Sequence, residues 1–546
     1  MRLNQQTGRF FQVINILVVL AFLAGCSSNS VTYWVPPSSF SPPIKTLQPE
    51  LTSSDMGGET QNSVSSSTVE TEITAGIETS QVTSTELEYP TAKEIASPSP
   101  PPEVVTEDSA PILYYAQAAD TLPAVAVRFR VEPAEISSQQ SIPEEGFIPP
   151  GQLLVIPHRI SKTTSNKLLL PDSEIVYSPS ALDFDTSAFV KEAGGYLATK
   201  TEWHKSTGVK PGVEVLKRVA IENSINPRLL LALLEYHSHW VYGQPENQDQ
   251  ESYPLGYRSE VNKQLYLQLV WTVNMLSTGY YAYREGRLTD IQFLDGTTAR
   301  LAPDLNAGTA ALQYYFAQLY EGDRWEAALN PNIGFPALFS QMFGDPWERA
   351  KRVEPLYPPD ITQPPLILPF ARKWTWSYTG GPHGAWEQDG AFAALDFAPG
   401  ANSSGCVESQ TWVTAPSDGL VVRTGPGLVV LDIDGDGREQ TGWVVVVLHV
   451  ATKDRIPVGS WVGAGDPLGH PSCEGGFATG THVHIARKFN GEWVPADGPL
   501  PFNLGGWIAH AGEAAYKGKL TRGNVTLEAC TCSNYKTFIT RTDNDP

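Results

Sequence analysis

Gly480-Thr481-His482-Val483-His484-Ile485 sets two histidines at i and i+2 in an extended, β-branched setting. Successive side chains of a strand point to opposite faces, so His482 and His484 share one face. Neutral imidazoles paired in this way suit a single divalent cation. Zinc is the ion most commonly held by two histidines and a carboxylate.

The surrounding sequence extends the pattern. From about residue 365 the chain turns to short apolar segments punctuated by Gly and Pro, as in a mostly antiparallel β domain. The segments 411–422, 442–450 and 458–466 each read as a strand or a strand with a turn. Two more segments carry metal-ligand chemistry: Gly380-Gly381-Pro382-His383 and, 13 residues from His383 to the aspartate, Ala394-Leu395-Asp396-Phe397.

Together these segments resemble the lysostaphin/LytM class of zinc peptidases across nearly all of 365 to about 515. That class normally presents His-x-x-x-Asp, but Phe392 stands four residues before Asp396. The longer separation resembles the β-lytic (staphylolytic) branch, where Gly-Gly-Pro-His is followed by Leu-Asp-Phe. The resemblance implies Zn2+ held by His383, Asp396 and His484, with a fourth position left for water, the mark of a catalytic rather than a structural zinc. It also implies His482 as general base. His449, in Val447-Leu448-His449-Val450, would be a further active-site histidine that steadies the transition state. Loss of a ligand would instead mark a non-enzymatic wall-binding or amidase-activating protein, and none of the three is lost.

Asp432-Ile433-Asp434-Gly435-Asp436-Gly437 has the carboxylate spacing that begins an EF-hand loop, but the twelfth position is Trp443 rather than Glu. Strand-like segments flank it, so a polar hairpin turn is the favoured reading and a calcium loop the alternative.

The middle of the chain, 180–355, reads as helical. Asn226-Pro227 is a cap with a first-turn proline, leading into a leucine-rich run, and apolar periodicity follows over 263–285 and 306–320. This order resembles the lysozyme-like domain of lytic transglycosylases, in Asn226-Pro227-x-Leu-Leu-x-Ala-Leu and in Asn306-Ala307-Gly308. His237-Ser238 stands where that family has its catalytic Glu-Ser. Glu235 lies two residues earlier, rotated about 200° on a helix. Cleavage of a glycosidic bond needs a carboxylic acid of raised pKa, so the domain is expected to be catalytically inactive.

Ahead of it, 111–158 resembles a LysM module, in Asp120-Thr121-Leu122 and in Pro150-Gly151-Gln152-Leu153 with its Ile156-Pro157 end. The resemblance implies a βααβ fold that binds the glycans of peptidoglycan or chitin. Ala119 stands where that family usually has Gly.

The N-terminus has a basic start at Arg2 and Arg9 and an apolar run from Val13 to Leu23, too short for a comfortable membrane span. It ends in Leu23-Ala24-Gly25-Cys26, which resembles a bacterial lipobox. That implies a 1–25 signal peptide, lipidation of Cys26 and an exported, membrane-anchored lipoprotein at the cell envelope. Residues 26–110 are rich in Ser, Thr, Glu and Pro and read as a solvated, disordered tether. From 27 to 110 there are 12 acidic residues and two lysines, and the whole chain carries a formal charge of −21, which argues against nucleic acid as a partner.

Four cysteines remain, Cys406, Cys473, Cys530 and Cys532, and an even number in an exported chain favours disulfides. Three pairings are open. Cys530 and Cys532 are too close to pair easily, which favours bonds from Cys406 and Cys473 to elsewhere in the C-terminal region. The expected architecture is thus multidomain: a small βααβ module, an all-α lysozyme-like domain, and a mostly antiparallel β peptidase domain over 365–546.

Overall fold

The computed structural model describes residues 110–545, apart from 206, 387–388, 401–404 and 533, together with the short strand Thr32–Tyr33. The signal segment, Cys26 and nearly all of the 26–110 tether lie outside the described residues. Thr32–Tyr33 departs from the expected tether. It pairs antiparallel with Gly419–Gly425 at the sheet edge, where β-branched and aromatic residues meet an open ladder.

In the C-terminal region, strands lie side by side in the order Gly419–Gly425, Leu428–Asp432, Trp443–Leu448, Val483–Phe489, Ala394–Pro399, Thr375–His383, Phe538–Thr540, every pair antiparallel. Strands such as Leu428–Asp432 and Trp443–Leu448 read as continuous apolar runs because both faces of the sheet are buried. Val429, Leu431, Val445, Val447, Val483 and Ile485 point into one core with the smaller sheet built from residues 503–528. Val430, Val444, Val446, Ala486 and Ala394 point into the other, shared with the helices. Asp432 ends one strand, and Asp434 and Asp436 lie in the 433–442 connection to the next antiparallel strand, as the hairpin reading expects.

The helical region centres on Gly212–Asn223, Pro227–Ser238, Leu265–Arg284 and Ala307–Ala317. Asn226 and Asn306 cap two of these, their side chains accepting from Arg228 N and Thr309 N. The region is not all-α. Two hairpins, Thr201–His204 with Gly208–Pro211 and Asp290–Gln292 with Thr298–Arg300, extend from it, each turning through a left-handed glycine that a helix would not need. Its core also begins earlier than residue 180, with Leu169, Leu170 and Ile175 buried.

The 111–158 unit pairs Ile112–Tyr115 with Leu153–Ile156 around the helix Leu122–Phe129. In place of the second helix of the expected βααβ fold there is only a 3-10 turn, Pro133–Glu135. It stops because Ile136 turns extended and Ser137 bridges to Val155. Ala119 has φ 63, a left-handed conformation that suits the usual Gly better than Ala.

The cysteines pair as Cys406–Cys473 and Cys530–Cys532. This overturns the expected cross-connection. The 406 and 473 segments are neighbours in space, so proximity in the fold outweighs the short spacing of the second pair.

The helical region docks onto the sheet through the hairpin that follows Val483–Phe489. Asn490 and Gly491 both have positive φ, 49 and 78, as a type I′ Asn-Gly turn requires. Asn490 Nδ2 donates to Leu356 O at 2.8 Å, and Ser224 Oγ donates to Gly491 O. Trp493 is buried, with its indole N–H donating to Asn223 O at 3.2 Å and its backbone N–H to the Tyr281 hydroxyl at 2.9 Å. Arg284 pairs with both Glu492 and Asp172. A Cβ on residue 491 would lie 2.1 Å from Tyr177 O. Gly491→Ala is therefore expected to cost more than ~2 kcal/mol, from left-handed strain plus backbone displacement; a urea titration at constant m-value would measure it.

Candidate metal centre

Asp396 and His484 lie directly opposite each other on adjacent strands, on the sheet face turned towards the helices. Leu395, Phe397, Val483 and Ile485 take the other face. His383 ends the neighbouring strand. Its register with Ala394–Pro399 shifts between Tyr378 and Gly380 and again between Gly380 and His383, irregularities that re-aim the strand end. Gly380 faces Asp396, and a Cβ there would sit 2.5 Å from Asp396 Oδ2. The glycine before the histidine thus makes room for the carboxylate.

The side chains converge. His383 Nε2 lies 3.0 Å from His484 Nδ1 and 3.3 Å from Asp396 Oδ1, and His484 Nδ1 lies 3.4 Å from the same oxygen. The outer nitrogens decide what the inner ones carry. His383 Nδ1 lies 2.8 Å from Gly381 O and His484 Nε2 3.0 Å from Ala385 O. A carbonyl oxygen can only accept, so both outer nitrogens bear the proton and both inner ones are bare in the neutral ring. Two lone pairs 3.0 Å apart beside a carboxylate repel one another unless a cation lies among them. Asp396 Oδ1 is buried with no hydrogen-bond partner among the described residues. Burial pushes the Asp396 carboxyl up, but the His383 and His482 rings outweigh it and hold it well below the usual carboxylate range. Two imidazole nitrogens whose outer partners are fixed, together with one carboxylate oxygen, fit zinc.

His482 Nε2 stands 3.9 Å from Asp396 Oδ1, and its Nδ1 donates to Gly480 O at 2.7 Å. His449 follows its strand at φ 63, with Nδ1 donating to Glu474 O at 2.8 Å. The His449 and His482 rings are 4.3 Å apart. Burial, then the neighbouring histidines, lowers His449 to about 3. All five sequence-chosen residues are therefore brought together.

Sequence reasoning missed three contributors. Tyr516 stacks on His383 with centroids 4.0 Å apart at 22°, and no motif marks it. The carbonyls of Ala385 and Glu474 fix tautomers, and a backbone group leaves no trace in a sequence. The long His383-to-Asp396 spacing also gains a reason. Ala385, Ala391 and Ala393 pack into the helix-facing core, and Asn274 on Leu265–Arg284 donates to Asp389 at 3.1 Å.

Asp432, Asp434 and Asp436 also lie close together. Asp432 there accepts from Gly435 N and Gly437 N, which closes the turn from within.

A family model described as the N-terminal domain of LasA matches residues 168–358, the helical region. The chain is 26% identical to Protease LasA of Pseudomonas aeruginosa over 361 residues, which is 62% of this chain and 78% of that protein. Among solved structures, the M23 metalloprotease pseudoalterin from the deep sea is 22% identical, with TM-score 0.26, covering 31% of this chain and 96% of that one. The catalytic domain of lysostaphin from Staphylococcus simulans is 22% identical, with TM-score 0.16, covering 22% and 89%. Similarity to a curated protease over this length supports a peptidase.

The second candidate site, in the helical region, holds no acid in place. His237 is enclosed, with Nε2 3.1 Å from the Tyr315 hydroxyl and Nδ1 3.0 Å from that of Tyr320. Glu235 accepts from Val241 N and Tyr242 N, both at 3.0 Å, and so ties down the chain beyond the helix end. Burial lowers His237 to about 3. A histidine depressed in the folded state contributes fully above its unfolded pKa of ~6.5, and the contribution is lost as pH falls towards 3, by up to ~1.4 kcal/mol per pH unit. Urea titrations at pH about 7 and about 5 should show a smaller pH-dependent loss of stability in His237→Leu than in the wild type.

Proposed function

We propose that this chain is an exported zinc metalloendopeptidase that hydrolyses peptide bonds of bacterial cell-wall peptidoglycan. The observation that carries the reading is the convergence of His383 Nε2, Asp396 Oδ1 and His484 Nδ1, three ligand atoms within 4.8 Å of one another, with the outer nitrogen of each imidazole spent on a carbonyl. Similarity to Protease LasA supports the peptidase class. The choice of peptidoglycan rests on the lysostaphin-like motif order, and the lipobox-like Leu23-Ala24-Gly25-Cys26 supports export with a lipid at Cys26.

A zinc ion at these three ligands would supply Lewis acidity towards a scissile carbonyl and an attacking water. The protein's own residues do the rest. His482, with its proton committed to Gly480 O, has a bare Nε2 beside Asp396 and takes the proton of the attacking water. His449 is held in the same tautomer by Glu474 O. Its bare Nε2 must first receive a proton before it can steady developing charge or protonate the leaving amine. Tyr516 keeps the His383 ring in place by stacking. In the helical region the acid position is His237, enclosed between two tyrosines, so that region supplies glycan binding or spacing rather than cleavage, and the 111–158 unit is a glycan-binding module.

Mass spectrometry of muropeptides released by the purified full-length chain tests the reading. New amino termini within peptide stems or cross-bridges are expected; release of anhydro-sugars alone, or of nothing, rejects it in favour of a transglycosylase or a non-enzymatic wall-binding protein. His383→Ala, Asp396→Ala and His484→Ala should each abolish both zinc content and hydrolysis. His482→Ala and His449→Ala should keep zinc while losing ~10²–10⁴-fold in turnover. Metal analysis beside a peptide-release assay separates the two groups.

A further inference from the structure

The three metal-ligand candidates stand on or at the ends of sheet strands, whereas His449 and His482 are steadied from loops. His449 O accepts from Ser472 N at 2.7 Å and from Ser472 Oγ at 3.0 Å, and its ring donates to Glu474 O at 2.8 Å. The Glu474 carboxylate in turn accepts from Thr452 N at 3.0 Å, three residues beyond His449. The same segment reaches His482, whose N–H donates to Ser472 O at 3.4 Å. Residues 472–474 therefore touch both histidines.

A second segment holds the residue ahead of His482. Thr481 N donates to Gly405 O at 3.1 Å, Val407 N donates to Thr481 Oγ1 at 2.9 Å, and that hydroxyl donates to Val407 O at 2.5 Å. Gly405, Cys406 and Val407 are exposed, so burial does little to place them. Cys406 sits between the two residues that hold Thr481. Cys473 sits between the two that hold His449. The two are bonded to each other across 67 residues of sequence.

We propose that Cys406–Cys473 is a positioning pair for the peptidase reaction. By joining the segment that orients His449 to the segment that fixes the backbone before His482, it sets turnover without taking part in metal binding. The inference rests on the peptidase reading above. His383, Asp396 and His484 do not depend on the bond, because strand pairing and the Gly381 and Ala385 carbonyls hold them.

The test uses the full-length chain as a Cys406→Ser/Cys473→Ser double variant, beside Cys530→Ser/Cys532→Ser, which removes the distant bond. The first is expected to keep wild-type zinc content and KM while kcat falls ~10-fold or more, a part of what a positioned acid or base contributes. The second is expected to keep kcat. A downfield imidazole proton from His449 Nδ1–H should be sharp in the wild type and in the second variant, and broadened in the first. Thr481→Val keeps the disulfide but removes the hydroxyl links to Val407. It is expected to lower kcat in the same direction, and it decides the matter if the double variant does not fold. Wild-type kcat in both Cys406→Ser/Cys473→Ser and Thr481→Val overturns the proposal, as does parallel loss of zinc and kcat, which would make the bond a general staple. Absence of hydrolysis by the wild type rejects the peptidase reading instead, and the His449 proton signal then still decides whether the bond positions the ring.

Discussion

A sheet buried on both faces leaves almost no place for an unpaired polar group, and this constraint shapes the rest of the C-terminal region. Every strand must feed apolar side chains into two cores at once. One group of charges that enters is matched: Glu439 meets Arg423 at 2.9 Å and Lys488 at 3.0 Å, all three nearly fully buried. Burial pushes Glu439 up, but the two cations outweigh it and hold it at about 2. Removing one member of such a group costs ~3–5 kcal/mol, because the remaining charge is left uncompensated. His383, Asp396 and His484 lack such a match. Among the described residues no protein donor reaches Asp396 Oδ1, and a cation is the chemistry that satisfies the three inner atoms.

The helical layer is as much a part of this arrangement as the sheet. It covers the same face on which Asp396 and His484 project, with Ala394 and Ala486, each two residues away from a ligand, inside the shared core. The Asn490-Gly491 turn and Trp493 anchor it at one end of the strands, and the loop that carries Ala385, Asp389 and Ala391 meets it near the other. That loop also carries the carbonyl that fixes the His484 tautomer. The helical region and the metal centre therefore share physical parts, and His237 in the former is enclosed between Tyr315 and Tyr320.

Local chemistry made much of this legible. Glycine and proline punctuation, helix caps at Asn226 and Asn306, and the paired His482 and His484 act over a few residues; the structure places the caps and His484 where the pattern expects, while His482 stands just ahead of the strand as an isolated bridge to Ser472. The second short helix after Pro133 failed because pairing of Ser137 with Val155 competes for the same backbone. The all-α expectation failed at two hairpins with weak local signals. The Asn490-Gly491 dipeptide suits its turn locally, but nothing local tells that its flank docks a separate helical layer.

Sequence by itself therefore determined most kinds of element, though not the hairpins of the helical region, and it marked the five histidine and aspartate positions and the residue types a metal needs, because those depend on covalent spacing and side-chain chemistry. Tertiary structure alone decided the His449 and His484 tautomers, the Cys406–Cys473 pairing, the stacking of Tyr516 and the backbone contacts of Glu235. Each of these is set by a group several residues or more away along the chain, as with the Ala385 carbonyl beside His484 and the Glu474 carbonyl beside His449. Only the folded chain specifies which carbonyl that is.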